Sequence, residues 1–366
     1  MNYHFTGEEE VDSPSLVYYL DIIEENIKKT IDLAGGAERL WPHIKTHKTA
    51  GLVKMQIGRG IGRFKCATIA EAELCARAGA PNVLVAYPLV GPKIGRFVKL
   101  REKYSGTVFW AIGDSLEQLG LLGKAVTASQ NKNSLNTLID VNLGMNRTGV
   151  SLDKLEDFYG KVVRIEGLSI KGFHCYDGHL GIEDLGKRRT AVSSATKKLW
   201  DVKKSLEKHG HEIPVLIMGG TPTFPCHSET AGVYLSPGTI FVNDYEYAVK
   251  FPDLDFTPGA AILSRVISHP GEGLFTLDTG HKAISSDKTD RGVIAGLPEA
   301  KAVAQSEEHW VWKLEKGDVP PIGTVLYIIP AHICPCTPLY PGILVVKNGK
   351  QVDYWDVDAR NRKITV

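Results

Sequence analysis

RFKCATIAEAELCARAGAPNVLVAY, residues 63–87, holds the pattern on which the fold turns. A short apolar run, RFKCAT (63–68), leads into TIAEAELCARAG (68–79), where Thr68 stands at an N-cap position and Gly79 at a stop. The apolar run NVLVAY (82–87) follows at once. Outward from this unit the alternation repeats from residue 15 to about 245, through SLVYYL (15–20), RLWPHIK (39–45), TVFWAIG (107–113), LNTLIDV (135–141), LSIKGFHC (168–175), VLIMGG (215–220) and VYLSPGTIFV (233–242). Several runs are apolar almost throughout, as parallel strands covered on both faces are. Between them, SLEQLGLLGKAV (115–126) and SLDKLEDFYGKVV (151–163) open on serine as capped helices do, and 183–209 reads as a long helix ending in His-Gly. Nine runs are one more than an eight-stranded ring needs. We therefore expect an α/β chain with a (β/α)8 barrel over 14–255 and SLVYYL in another sheet. An open doubly wound sheet is the alternative.

From about residue 256 helical periodicity fades. AAILSRVISHP, GLFTLDTG, EHWVWKL, TVLYIIP, GILVVK and QVDYWDV are short β-type runs separated by turn signals, and Asn348-Gly349 is a type I′ hairpin signal. This predicts a C-terminal all-β domain over 256–366, with residues 1–13 a candidate addition to it.

The chain has 366 residues, 43% hydrophobic and 23% charged, which excludes a disordered protein. Lys+Arg 43 against Asp+Glu 42 leaves a net charge of +1, without the basic surplus of a nucleic-acid binder. No apolar run is long enough to span a membrane, and MNYHFTGEEEVDSP lacks the basic and apolar regions of a signal peptide. The expectation is a cytoplasmic protein whose partner is a small molecule, not nucleic acid or membrane. The six cysteines form no C-x-x-C pair and are expected to be reduced thiols.

Several strand ends carry chemistry. If WPHIKTHKT (41–49) is a strand, alternation puts His43, Lys45 and His47 on one face near its C-terminal end, where barrels place catalytic groups. A lysine desolvated there becomes a nucleophilic neutral amine; the other reading is a solvated basic strand end. Met218-Gly219-Gly220-Thr221-Pro222-Thr223 and Leu235-Ser236-Pro237-Gly238-Thr239 read either as phosphate cradles or as plain turns. Asp140–Arg147 ends another strand with an arginine, and Phe173–His179 ends the next with His174, Tyr176 and His179. In the β region, His332 and Cys334 are two apart and share a face on an extended segment. Imidazole and thiolate suit Zn²⁺; the alternative is a buried cysteine beside a core histidine.

In order, PHIKTHK, CATIAEAE, DVNLGMNRTGV, YDGH, GGTPT, SPGTIFVND, SEEH and HICP resemble the pyridoxal-phosphate enzymes of the D-threonine aldolase and eukaryotic-type D-serine dehydratase family, over nearly the whole chain. The resemblance implies an alanine-racemase-like barrel with pyridoxal 5'-phosphate held covalently by Lys45. It implies cofactor contacts from Thr68, Arg147, Tyr176, Gly219, Gly220, Thr221, Thr223, Gly238 and Thr239, and a divalent metal on His332 and Cys334, zinc first and manganese or magnesium as alternatives. His43 and His179 join Lys45 as catalytic candidates. The substrate class implied is a D-3-hydroxy amino acid. Retro-aldol cleavage to glycine and an aldehyde leads; dehydration to a keto acid and ammonia is the runner-up, with racemisation behind it. His-x-Cys resembles the dehydratase variant of the metal pair and His-x-Asp the aldolase variant. Two departures stand out: Ile240 where the family often has tyrosine, and Trp310 where glycine is usual, a bulk expected to narrow the substrate pocket. Related enzymes pair as dimers, so a homodimer is expected.

Overall fold

The computed structural model describes residues 2–131 and 133–366. Strand β1 (Ser15–Tyr19) leads into helix α1 (Leu20–Ala34), and α2 (Ala50–Gly58) follows an irregular stretch. Then come β2 (Arg63–Cys66), β3 (Asn82–Val85), β4 (Val108–Gly113), β5 (Leu135–Asn142), the short β6 (Val150–Ser151), β7 (Leu168–Cys175), β8 (Val215–Met218) and β9 (Val233–Leu235). Helices α3 (Ile69–Arg77), α4 (Pro92–Lys103), α5 (Leu116–Ala128), α6 (Leu155–Val162) and α7 (Leu185–Lys208) connect them. The strands run parallel in the order β2-β3-β4-β5-β7-β8-β9, with Val83 opposite Phe64 and Phe109.

The segment 40–43 closes this sheet. Leu40 bridges Leu235 of β9 and His43 bridges Lys65 of β2, both in parallel. Trp41 and His43 donate their amides to Leu235 and Pro237, each at 2.8 Å, and Lys65 donates to Pro42 at 2.7 Å. The inward side chains Trp41, Leu84, Ile112, Leu138, Val215 and Ile217 form one buried cluster, so the interior is packed rather than hollow. The barrel expectation holds.

Two local expectations fail. RLWPHIK does not continue as a strand. Pro42 has no N–H for a ladder, and from Ile44 the chain tightens into a 3₁₀ turn, Ile44–Thr46. The alternation that placed His43, Lys45 and His47 on one face is therefore lost: Lys45 is exposed and His47 is buried. Ser151 does not open a helix either. It ends β6, and α6 begins at Leu155 with no side-chain cap. The other two expected caps form, with Thr68 accepting from the Glu71 amide and Ser115 from that of Gln118; Asp184 caps α7 by accepting from the Lys187 amide.

The remaining chain is largely antiparallel. After α8 (Tyr245–Lys250) come β10 (Ala260–Gly271), β11 (Leu274–Leu277), β12 (Gly292–Ile294), β13 (Lys301–Gln305), β14 (Trp310–Lys313) and β15 (Val325–Pro330). The one-turn α9 (Ile333–Cys336), β16 (Gly342–Lys347) and β17 (Lys350–Asp356) complete it. β1 joins this sheet, antiparallel to β10 and parallel to β16, as expected for SLVYYL. Asn348 and Gly349 both have positive φ, 52° and 67°, the requirement of a type I′ turn. Tyr3, Phe5, Val17, Tyr19, Leu263, Tyr327 and Val346 share its core. Two compact units result. One contains the chain up to Thr30, Thr46–Thr49 and Thr239–Arg360; the other contains Ile31–Lys45, Ala50–Gly238 and Asn361–Val366.

Candidate active site

In the barrel unit, strand ends gather polar groups. Lys45 gives its backbone N–H to His43 Nδ1 at 3.2 Å, so the 3₁₀ turn sets where its side chain leaves the backbone. At the end of β5, Asp140 Oδ1 accepts from His174 Nδ1 of β7 at 2.7 Å, and Asp140 Oδ2 from the Thr148 hydroxyl at 2.7 Å. Burial works against the Asp140 charge, but these bonds outweigh it and hold its pKa below the usual carboxylate value. Lys65 of β2 lies 3.4 Å from His174 Nε2. Burial, seconded by the nearby charge of Lys45, pushes the Lys65 amine down to about 7. The Arg147 guanidinium and the Lys65 amine lie 5.0 and 5.8 Å from the Tyr176 ring centre. His179 is exposed, in a short turn after Tyr176.

The loops after β8 and β9 form a stitched cradle. Gly219 has φ +81°, and a Cβ there would stand 2.7 Å from Phe224 Cα; a Cβ on Gly220 would stand 3.0 Å from the Tyr176 ring. Only glycine fits at 219, and at 220 a side chain would press on the Tyr176 ring. The Gly238 amide donates to the Thr221 hydroxyl at 3.3 Å, which ties the two turns together. The Thr223 hydroxyl accepts from the Gly220 amide at 2.9 Å and donates to Asp177 at 2.5 Å. Asp177 also holds His227 Nε2 at 2.7 Å. The Thr68 hydroxyl is used in capping α3. This geometry fits a small phosphorylated aromatic ligand: glycine backbone open to close approach, a spare Thr221 hydroxyl proton, and an aromatic face at Tyr176.

In the other unit, His332 Nδ1 bonds Asp287 Oδ2 at 2.7 Å, and the ring also hydrogen-bonds the Cys334 side chain. Burial opposes a charge on His332, yet the Cys334 thiol and the Asp287 carboxylate outweigh it and push its pKa up to about 9. The Cys334 sulfur lies 3.1 Å from the Thr46 hydroxyl and 3.3 Å from that of Thr239. Among the described residues no group of three side chains is arranged to hold a metal. His332 and Cys334 still fit a divalent ion as an incomplete pair, with Asp287 orienting the imidazole as carboxylates do behind metal-bound histidines. Cys336, by contrast, is buried and accepts from the Ser285 amide. Ile240 is fully buried in a 3₁₀ turn, an apolar core residue. Trp310 is buried against Trp312, ring centres 4.6 Å apart.

Residues 19–245 match the model of the alanine racemase N-terminal domain. The chain belongs to that family. Residues 259–346 of this alanine-racemase-type chain also match a putative serine dehydratase domain. Over 96% of its length it is 27% identical to a D-threonine aldolase of Arthrobacter sp, 93% of which is covered. It is 24% identical to the D-threo-3-hydroxyaspartate dehydratase of Delftia sp., over 94% of this chain and 97% of that one. The crystal structure of D-threonine aldolase from Filomicrobium marinum superposes with a TM-score of 0.90 at 26% identity, covering 98% of both chains. The family resemblance drawn from the motifs therefore holds. So does the reading of the chain as an enzyme of the pyridoxal-phosphate lyase kind, with aldolases and a dehydratase among its relatives. No helix of the described residues is long and apolar enough to cross a membrane.

Sequence reading passed over Lys65, His227 and Asp287. Lys65 left one trace, a lysine inside the strand-type run RFKC. The other two lie far along the chain from the groups they bond and left none.

Proposed function

We propose that this chain cleaves D-3-hydroxy amino acids of the D-threonine kind to glycine and an aldehyde, with pyridoxal 5'-phosphate on Lys45 and a divalent metal on His332 and Cys334. The observation that carries the proposal is the stitched glycine cradle: His43, two residues before Lys45, donates to Pro237 of the very turn whose Gly238 is tied to Thr221. Lysine and cradle thus share one hydrogen-bonded neighbourhood.

In this reading Gly219, Gly220 and Gly238 let backbone approach the phosphate, and the Thr221 hydroxyl donates to it. Thr223 acts by holding the turn, because its hydroxyl is committed to Asp177. Thr68 and Thr239 flank the site, Tyr176 faces the ring, and Arg147 supplies positive charge toward the ring oxygen. When bound, pyridoxal phosphate supplies an electron sink for the pair released at Cα. The chain's task is to take the proton from the β-hydroxyl while the Cα–Cβ bond breaks. His179 and His43 are the candidate bases. A metal on His332 and Cys334 would lower the pKa of that hydroxyl; zinc suits a thiolate and an imidazole, with manganese or magnesium as alternatives. The thiol at 334 favours a second reading, dehydration, in which Lys45 removes the Cα proton; a metal held by His332 and Cys334 would supply the Lewis acidity that helps the β-hydroxyl leave. The full-length likeness to D-threonine aldolases favours the first. A cytoplasmic homodimer acting on a small amino-acid substrate completes the proposal.

The test is incubation of the cofactor-loaded protein with D-threonine and with D-serine, assaying glycine, 2-oxobutyrate and pyruvate separately. Glycine with acetaldehyde from D-threonine is the expected result. Keto acids without glycine establish the dehydratase instead, and neither product overturns both readings.

A further inference from the structure

Lys65, His174 and Asp140 come from three strands, β2, β7 and β5, and each is at most 5% exposed. The proposed reaction assigns none of them a step. A lysine in this position is costly, since burying an amine without a carboxylate at contact distance disfavours its charge. A leucine would fill the strand at no such cost.

The hydrogen bonds define what the lysine does. Asp140 accepts a hydrogen bond from His174 Nδ1–H, which leaves Nε2 as an acceptor. The Lys65 amine at 3.4 Å donates to it, and burial together with the neighbouring Lys65 cation works against a charge on His174 and lowers its pKa. The charged groups facing Lys65 are Lys45 and Arg147, which disfavour its proton, and Asp140 and Asp177, which favour it. The same amine lies against the Tyr176 ring, as the Arg147 guanidinium does.

We propose that Lys65 is a positioning residue of the candidate active site: it holds His174 and the Tyr176 ring, and by gaining or losing one proton it resets the charge around the ring of the bound cofactor. This rests on the reading of Tyr176 and Arg147 as the ring's contacts. With its pKa near 7 in the free chain, the amine is partly uncharged at neutral pH. An anionic ligand favours the ammonium form, so cofactor binding draws a proton onto Lys65 from solvent.

The experiment compares wild type with Lys65→Met and Lys65→Arg. Cofactor is titrated into each by calorimetry in two buffers of different ionisation heat, and the visible band of the loaded proteins is followed from about pH 6 to about pH 9. Wild type is expected to take up a fraction of a proton and to show a band transition in that range. Lys65→Met takes up less proton than wild type, the remainder belonging to condensation at Lys45, and loses the band transition; Lys65→Arg, charged throughout, keeps the low-pH spectrum at every pH. A purely structural role would weaken binding without changing the proton count. If the methionine variant fails to fold, the arginine variant carries the test. Equal proton uptake and an equal band midpoint in the wild type and the folded variants overturn the role of Lys65 alone. Absence of any cofactor band on wild type overturns the proposed function, and this inference with it.

Discussion

Lys45 and Lys65 show how differently one residue type reads at the residue scale. Lys45 sits in a motif that singles it out, although it does not lie on a strand: it is exposed on a 3₁₀ turn. Lys65 looks like an ordinary strand lysine, and its burial arises only when β5 and β7 close over it. Residue type was thus legible at 45 and environment was not legible at 65. Lys45→Ala is expected to abolish the covalent cofactor adduct trapped by borohydride, read by mass spectrometry; an adduct surviving in that variant would show that another amine is the anchor. At the metal pair, Cys334→Asp replaces a soft donor with a hard one. Metal analysis after competition should show retained binding with preference moved from Zn²⁺ toward Mn²⁺. Unchanged preference would mean that Cys334 is no ligand.

Among elements, the helix caps and the Asn348-Gly349 hairpin were legible because their chemistry is local: a hydroxyl reaches an amide three residues on, and a turn needs two positive φ angles. The segment 40–47 departs from its apolar pattern for a reason equally local. Pro42 removes a ladder donor, and the apolar run before it hides how soon the strand ends. The phosphate cradle lies between these cases. Its glycines announce a turn, but the buttress behind it, Asp177 with His227 and Thr223, draws on two separate stretches of chain. Asp177→Ala removes a buried carboxylate that makes two short hydrogen bonds, each worth about 1.5–3 kcal/mol to a charged group. Part of that loss should appear as cofactor affinity weakened about tenfold or more, with the circular dichroism of the fold retained. Wild-type affinity in the variant would mean that the turn holds its shape unaided.

For the whole molecule, the strand–helix alternation was enough to give the barrel, and the loss of helical period enough to give the β region. That β1 lies outside the barrel, in another sheet, also followed from counting strands against a ring of eight; its pairing with β10 and β16 did not. What the pattern could not show is how the chain's last stretch docks on the barrel unit. Glu73 of α3, the helix that follows β2 with its Lys65, is fully buried and accepts from the Thr365 amide at 3.0 Å, the Val366 amide at 3.3 Å and the Tyr104 hydroxyl at 3.0 Å. Arg96 of α4 donates to the carbonyls of Val366 and Arg362. Burial disfavours the Glu73 charge, yet the bonds from Thr365, Tyr104 and Val366 outweigh it and hold its pKa below the usual 4.5. A carboxylate whose folded pKa is depressed stabilises the fold fully above its unfolded pKa and loses that contribution as pH falls through the folded value. Glu73→Gln should therefore cost about 2 kcal/mol in urea denaturation at neutral pH, and the gap to wild type should close on acidification below about pH 4. A gap of the same size at both ends of that range would assign the loss to altered packing of α3 rather than to the charge that gathers the chain's end.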